Sequence, residues 1–136
     1  MPAIKPDVVL LHAQQADELG NVQYRAPVFF DVLMAQAAKH VIVSVDRIVS
    51  HETVRKSHAL TRLSSAFVDT IVEAPYGAHP TVSAGLYDLD EAHVAEYVKA
   101  SASATSFKDY LGRYVHGCDG PSAYRRQIGD PAFLEG

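Results

Sequence analysis

The run "DVVLLHA", residues 7–13, decides the fold. It is a continuous aliphatic stretch bounded by Pro6 and by polar residues, the pattern of a strand buried on both faces, and such strands belong to parallel sheets. Downstream, residues 14–28 hold a Gly20-Asn21 turn and Pro27, which break the chain before "FFDVLMAQAAK", 29–39. There Phe30, Leu33, Met34 and Ala37 recur at helical spacing and predict a crossover helix. "HVIVSV", 40–45, is rich in β-branched residues and predicts a second strand. Strand, helix and strand in this order form a β-α-β unit. The expected class is therefore α/β, an open, mostly parallel sheet with flanking helices.

Further along, "RIVSHETVRKSHALTRLSS", 47–65, carries mixed charge without a strong period and reads as a short helix and loop. "AFVDTIVEAP", 66–75, predicts a third strand ending at Pro75. The next segment, "APYGAHPTVSAGLYD", has two prolines and two glycines and predicts a long ordered loop at a strand's carboxyl end, where parallel sheets carry their ligands. "DEAHVAEYVKAS", 90–101, predicts a helix with Asp90 as N-cap and a buried Val94/Tyr97/Val98 stripe, and "SFKDYLGRYVHG", 106–117, predicts another. The tail, 118–136, reads as a capping turn or a partner-facing arm.

At 136 residues the chain is expected to form one domain, 1–136, with a single core. Apolar residues at 48% and charged residues at 21% argue against disorder. A net charge of -4 with no basic run disfavours nucleic acid and anionic membranes as partners. The single cysteine, Cys118, excludes an internal disulfide and a cysteine-based metal cluster, and it fits the reducing cytoplasm. Neither a signal-peptide pattern nor a stretch of transmembrane length is visible.

Several chemistries lack their motif. His12, His79 and His93 with Asp17 match no compact ligand spacing, so no metal site is expected and structural histidines are the favoured reading. There is no G-x-S-x-G elbow, and Ser64-Ser65 before the third strand reads as a turn rather than a nucleophile. Phosphate-loop and dinucleotide signatures are missing. Cys118 has a neighbouring histidine in "HGCDG" but no identifiable base. Two positions keep some promise. Glu73 ends the third strand, where a half-shielded carboxylate can act as nucleophile or base, although a carboxylate that anchors the loop through backbone N–H groups is the favoured reading. His79, between Ala78 and Pro80, is expected to fasten that loop or to point into a cleft. In "HAQQADELGN", 12–21, Gly20-Asn21 supplies a tight turn whose amides Asp17 can bind.

Taken in order, "IKPDVVLLHAQQADELGNVQY", "FDVLMAQAAKHVIVSVDRIVS", "FVDTIVEAPYGAHP" and "GLYDLDEAHVAEYVKA" resemble the C-terminal half of the alpha subunit of family I CoA-transferases, in particular the glutaconate CoA-transferase type. The resemblance spans residues 4 to 115 and rests on A-x-x-A-D-x-x-G-N and E-A-P-x-G-A-H-P together. It implies a half domain of that fold and a ping-pong transfer of CoA between an acyl-CoA thioester and a carboxylic acid. The family's covalent glutamate belongs to the beta subunit, so no catalytic residue is expected in this chain, and none of its glutamates inherits that role. Ser64-Ser65 stands where the family often has Pro-Gly. Coenzyme A thioester is implied as substrate, with no covalently bound cofactor. A missing N-terminal half and a beta subunit are implied as partners in an oligomer. Glu73, Pro75, Gly77, His79, Gly20 and Asn21 are then the residues expected to shape the substrate cleft, and the chain alone is expected to be inactive. Two other functions stay open: a CoA-thioester hydrolase or ring-opening subunit on the same scaffold, and a non-catalytic oligomerisation module.

Overall fold

The computed structural model describes residues 4–129 and 131–134. They pack as two compact units, one ending at Gly77 and the other beginning at Ala78.

The first unit is a five-stranded sheet built on two long parallel strands, β1 (Val8–Asp17) and β3 (His40–Val49), paired from Val8 with His40 through to Asp17 with Val49. Between them come β2 (Val22–Gln23) and a two-turn helix, α1 (Asp31–Ala37). After β3 follow α2 (His51–Lys56), capped by Ser50 Oγ accepting the Thr53 N–H, then β4 (Thr61–Leu63) and β5 (Thr70–Glu73). The spatial order is β4-β2-β1-β3-β5. β5 joins β3 in parallel, whereas β2 pairs antiparallel with both β1 and β4, so the sheet is open and mixed. The expected β-α-β core is present and most of the pairing is parallel as expected, with a short antiparallel flank added beside β1. Its cause is the Gly20-Asn21 turn, which is too short for a crossover and closes a hairpin instead.

β1 runs four residues beyond the aliphatic stretch because its polar end is satisfied internally. Gln15 Nε2 donates to Gln23 Oε1 at 2.7 Å, and Gln14 Oε1 accepts the Arg25 N–H at 3.0 Å. Gln23, with no solvent exposure, donates onward to the carbonyls of Val54 and Ser57 and so fastens α2 beneath the hairpin. Ser64 does mark a turn: its Oγ accepts the Ala66 N–H and opens a short 3-10 turn, Ser65–Phe67, that delays the third parallel strand to Thr70.

One face of the sheet carries the core. Val9, Leu11 and Ala13 of β1 and Val41, Val43 and Val45 of β3 alternate inward and meet Val22, Tyr24, Ala35 and Leu63. On the opposite face Val8, Leu10 and Val72 are exposed, Leu10 to 73%. Toward their amino ends, strands legible as continuous aliphatic runs are therefore left uncovered on one side, whereas nearer the carboxyl ends the loop at Tyr76 and Gly77 covers His12 and Asp46. The predicted helix at 29–39 is present in shortened form, but its Phe30/Leu33/Met34 stripe faces outward and Ala35 is the buried residue. A small residue lets α1 lie close to the sheet, a packing solution that apolar spacing does not reveal.

The second unit begins with a compact loop in which Ser83 and Tyr87 form a bridge and Ala78 N–H donates to the Tyr87 hydroxyl. α3 (Glu91–Ala100) starts at Asp90, whose carboxylate accepts the His93 N–H at 2.8 Å as expected of an N-cap. Its expected Val94/Tyr97/Val98 stripe is not buried: Tyr97 and Val98 are exposed, and the fully buried residue is His93. α4 (Ala104–Leu111) is capped by Ser103 and widens into a π-helical segment, Gly112–His116. The tail contains a further helix, α5 (Pro121–Gln127), with Pro121 in its first turn; residues 130, 135 and 136 of the predicted arm lie outside the described residues. Among the described residues no helix is long and apolar enough to cross a membrane.

The one-sided sheet gives a direct test. Leu11→Ala empties a core position and is expected to cost about 2–5 kcal/mol in urea denaturation. Leu10→Ala, one residue away on the exposed face, is expected to change stability by less than about 0.5 kcal/mol. Equal costs would contradict the register.

Candidate functional site

The carboxyl ends of β1 and β3 hold two buried aspartates, and each organises a turn. Asp17 has no solvent exposure, and both its oxygens are engaged. Oδ1 accepts the backbone N–H groups of Leu19 (3.1 Å) and Asn21 (2.8 Å), while Oδ2 accepts Asn21 Nδ2 (2.9 Å) and His51 Nδ1 (2.7 Å). Burial alone pushes the carboxyl up, but these bonds from His51, Asn21 and Leu19 outweigh it and hold the group below its ordinary 3.8. Asn21 also accepts the Ser65 N–H through Oδ1, and Gly20, at φ +95°, lies against Ser65. The Gly20-Asn21 corner is thus a junction between the β1 hairpin, α2 and the turn that leads to β5.

Asp46, 1% exposed, does the same for the loop after β5. Oδ1 accepts the Tyr76 N–H at 2.8 Å, Oδ2 lies 3.2 Å from His12 Nε2, and His12 Nδ1 lies 2.9 Å from Ser44 Oγ, whose hydroxyl donates to the Leu11 carbonyl. Tyr76 adopts φ +63°, and Gly77 packs against the His12 ring so tightly that a Cβ there would lie 2.6 Å from Cε1. Glu73 sits elsewhere than expected. It is exposed, and its Oε1 accepts the Ile48 N–H of β3 at 3.0 Å rather than an amide of its own loop. Anchoring by a carboxylate is legible in the sequence, but the residue that anchors the loop is Asp46, which the sequence places only at the end of a strand.

A shallow depression of about 370 Å³ in this unit is lined by Asp17, Glu18, Leu19, Gly20, Ile48 and the segment 68–71. Of the residues expected to shape a cleft, Gly20 lines it directly, and Glu73 lies next to it through Ile48. Asn21 turns to Asp17 and Ser65, and Pro75 and Gly77 belong to the turn over His12.

His79 belongs to the second unit. Its ring contacts Tyr124 Oη through Nδ1 at 2.7 Å and Asp90 Oδ2 through Nε2 at 3.2 Å. His93 stands edge-on to it, with ring centres 4.9 Å apart, and reaches Tyr110 Oη through Nε2 at 2.7 Å. Burial, with His79 beside it, holds His93 below the ordinary imidazole value, so it is neutral near pH 7. The His93 N–H bond holds Asp90 low against the opposing effect of burial, and burial pushes the Tyr124 phenol up to about 12. The histidine set weighed from sequence is thereby divided: His12 and Asp17 serve turns in the first unit, while His79 and His93 come together with Asp90, a residue that sequence marks only as a helix cap.

Two substitutions test these junctions. Asp17→Ala is expected to cost about 2–3 kcal/mol at neutral pH, the scale of hydrogen bonds to a charged group. Because the folded pKa is below the unfolded one, the wild-type advantage is full above pH 3.8 and shrinks as pH falls through the lowered value; parallel denaturation curves from pH 7 to 2 check this. Gly77→Ala is expected to cost about 1–3 kcal/mol, because the new methyl must displace His12 from Asp46, and a thermal melt reads the loss.

Comparison with known proteins agrees with this architecture. The coenzyme A transferase family model matches residues 1–74. The A subunit of glutaconate CoA-transferase from Acidaminococcus fermentans is 35% identical over 129 residues, 95% of this chain and 40% of that protein. The cholesterol ring-cleaving hydrolase IpdA subunit of Rhodococcus jostii is 33% identical over 122 residues, 88% of this chain and 41% of that protein. In the crystal structure of the A. fermentans glutaconate coenzyme A-transferase, the matching chain superposes with a TM-score of 0.87 at 33% identity, covering 95% of this chain and 42% of that one. The chain therefore spans about 40% of the length of these relatives. With the family model covering more than half of it and the fold shared, this chain belongs to the coenzyme A transferase family.

Proposed function

We propose that the chain is part of a CoA-transferase alpha subunit that supports transfer of CoA between an acyl-CoA thioester and a carboxylic acid, with the covalent glutamate supplied by a partner beta subunit. The observation that carries this reading is the 35% identity to the A subunit of glutaconate CoA-transferase over 95% of the chain. The geometry supports a scaffolding role. Asp17, Asp46 and Glu73, the carboxyl groups at the ends of the parallel strands, each accept backbone N–H bonds within the fold. In this reading the Gly20-Asn21 and Pro75–Gly77 turns shape the rim of the cleft, and the acyl-CoA itself is the substrate. The partner's attacking carboxylate would form an enzyme-CoA thioester and pass CoA to the acceptor acid. Exposed Val8, Leu10 and Val72 on a parallel sheet support burial of that face by the rest of a subunit of relative-like length. The lone cysteine favours a cytoplasmic setting.

A second reading has its own support. IpdA subunits, named as cholesterol ring-cleaving hydrolases, are 33–34% identical over 88% of the chain, so water in place of an acceptor acid is the alternative chemistry on this scaffold.

Native mass spectrometry of the purified complex after incubation with acyl-CoA separates the two. Transfer predicts a CoA thioester on a companion chain and none on this one; hydrolysis predicts turnover with no adduct. A thioester on Glu73 would reject the scaffolding role. Correspondingly, Glu73→Gln, which retains an acceptor for the Ile48 N–H, is expected to change stability by less than about 1 kcal/mol and to leave kcat per folded complex unchanged. A drop of about a hundredfold or more in kcat at an unchanged melting temperature would make Glu73 a base or nucleophile.

A further inference from the structure

We propose that His79, Asp90 and His93 form a binding site for one divalent transition-metal ion, best suited to zinc. One donor atom from each lies within 4.8 Å of the other two. His79 Nε2 and Asp90 Oδ2, at 3.2 Å, already stand at about the separation of two ligands on a tetrahedral zinc with bonds near 2 Å. Bringing donor atoms that lie as far as 4.8 Å apart to the same separation closes at most about 1.5 Å, shared between the side chains.

The surroundings are those of ligands held in place by outer partners. Metal-bound histidines fix their orientation through the second ring nitrogen. Here Tyr124 Oη meets His79 Nδ1 at 2.7 Å and Tyr110 Oη meets His93 Nε2 at 2.7 Å, which leaves His79 Nε2 and His93 Nδ1 as the donors. Without an ion, His79 donates Nε2–H to Asp90 and accepts from Tyr124. With one bound, the ring proton moves to Nδ1 and is donated to the Tyr124 oxygen, so His79 remains neutral and no charged group is created. Asp90 is held as well. Its Oδ1 accepts the His93 N–H, locking carboxylate and imidazole together across the first turn of α3. A cavity of about 210 Å³ lies against two of the three ligands, Asp90 and His93, and is lined also by Glu96 and Tyr114. Two imidazoles and one carboxylate favour zinc, cobalt or nickel over magnesium and calcium, which prefer an all-oxygen shell. The N-terminus of α3 opposes a cation only weakly beside three coordinate bonds.

The full 136-residue chain, stripped with chelator and titrated with zinc chloride in a calorimeter, tests the site independently of any CoA chemistry. One saturable equivalent per chain is expected, with a raised melting temperature and, for cobalt, the intense visible absorption of a tetrahedral ion; magnesium is expected to give neither. Asp90→Asn preserves an N-cap and should keep the fold while weakening zinc at least tenfold, and Tyr124→Phe should weaken it about tenfold. His93→Ala is expected to abolish the saturable equivalent, whereas His40→Ala and His116→Ala, on exposed positions, should leave it intact. No saturable equivalent in the wild type, unchanged affinity in the folded Asp90→Asn chain, or loss of binding in the His40→Ala and His116→Ala variants would each overturn the assignment.

Discussion

Asp17 and Asp46 enter the folded chain with almost no contact with water, and a buried carboxyl group is tolerated only when its lone pairs are filled. That demand shapes everything at the carboxyl end of the sheet. Asp17 fills its lone pairs from the hairpin and from His51, and this fixes how the chain leaves β1 and how α2 sits after β3. Asp46 fills its own from His12 and Tyr76, and this folds the loop after β5 back over β1. The parallel strands supply the platform, but the two carboxyl groups decide where its loops go. Replacing either by an apolar residue would leave backbone N–H groups stranded in the interior, a heavier loss than the missing contacts alone.

What the sequence disclosed follows from which forces leave a periodic trace. β1 and β3 were legible because burial selects unbroken aliphatic runs. β2 and β4, two and three residues long, leave no such trace; they exist because Gln23 bonds both strand neighbours and α2 at once. Helical spacing identified α1 and α3 but named the wrong buried faces. Spacing reports that apolar residues share a side, and Ala35 and His93 show that the side which packs can be the one with the small or polar residue. The role of Asp17 was readable because an aspartate three residues before Gly-Asn can bind the amides of that turn. That of Asp46 was not, and for Asp90 only the N-cap was: their other partners, Tyr76 and His79, are distant loop residues, and nothing in local spacing connects position 79 with 90 and 93.

The family relationship gives these turns a setting. The two motifs that carry the resemblance to CoA-transferases coincide with the segments that Asp17 and Asp46 organise, so what the resemblance marks as functional is, in this chain, largely a rigid frame. Rigid frames of this kind are a condition for chemistry, because reacting groups must be held within fractions of an ångström. The second unit is arranged differently. Its polar centre is an aromatic and histidine cluster at the start of α3, where Tyr110 and Tyr114, four residues apart across the onset of the π-helical segment, both contact the His93 ring.

The sequence separations in the first-unit network bear on how the chain folds. His12 with Ser44, His12 with Asp46, Asp17 with His51, and Asp46 with Tyr76 lie 32, 34, 34 and 30 residues apart. Each contact therefore closes a loop of nearly the same length and carries nearly the same entropic cost, since that cost grows only with the logarithm of length. The first three span the same connection between β1 and β3. Once those strands have met, the closure cost of the first three bonds has been met in a single step, and each later bond forms without further chain closure. The polar network and the parallel sheet should thus appear together in time, as one cooperative nucleus, with the loop over His12 closing last.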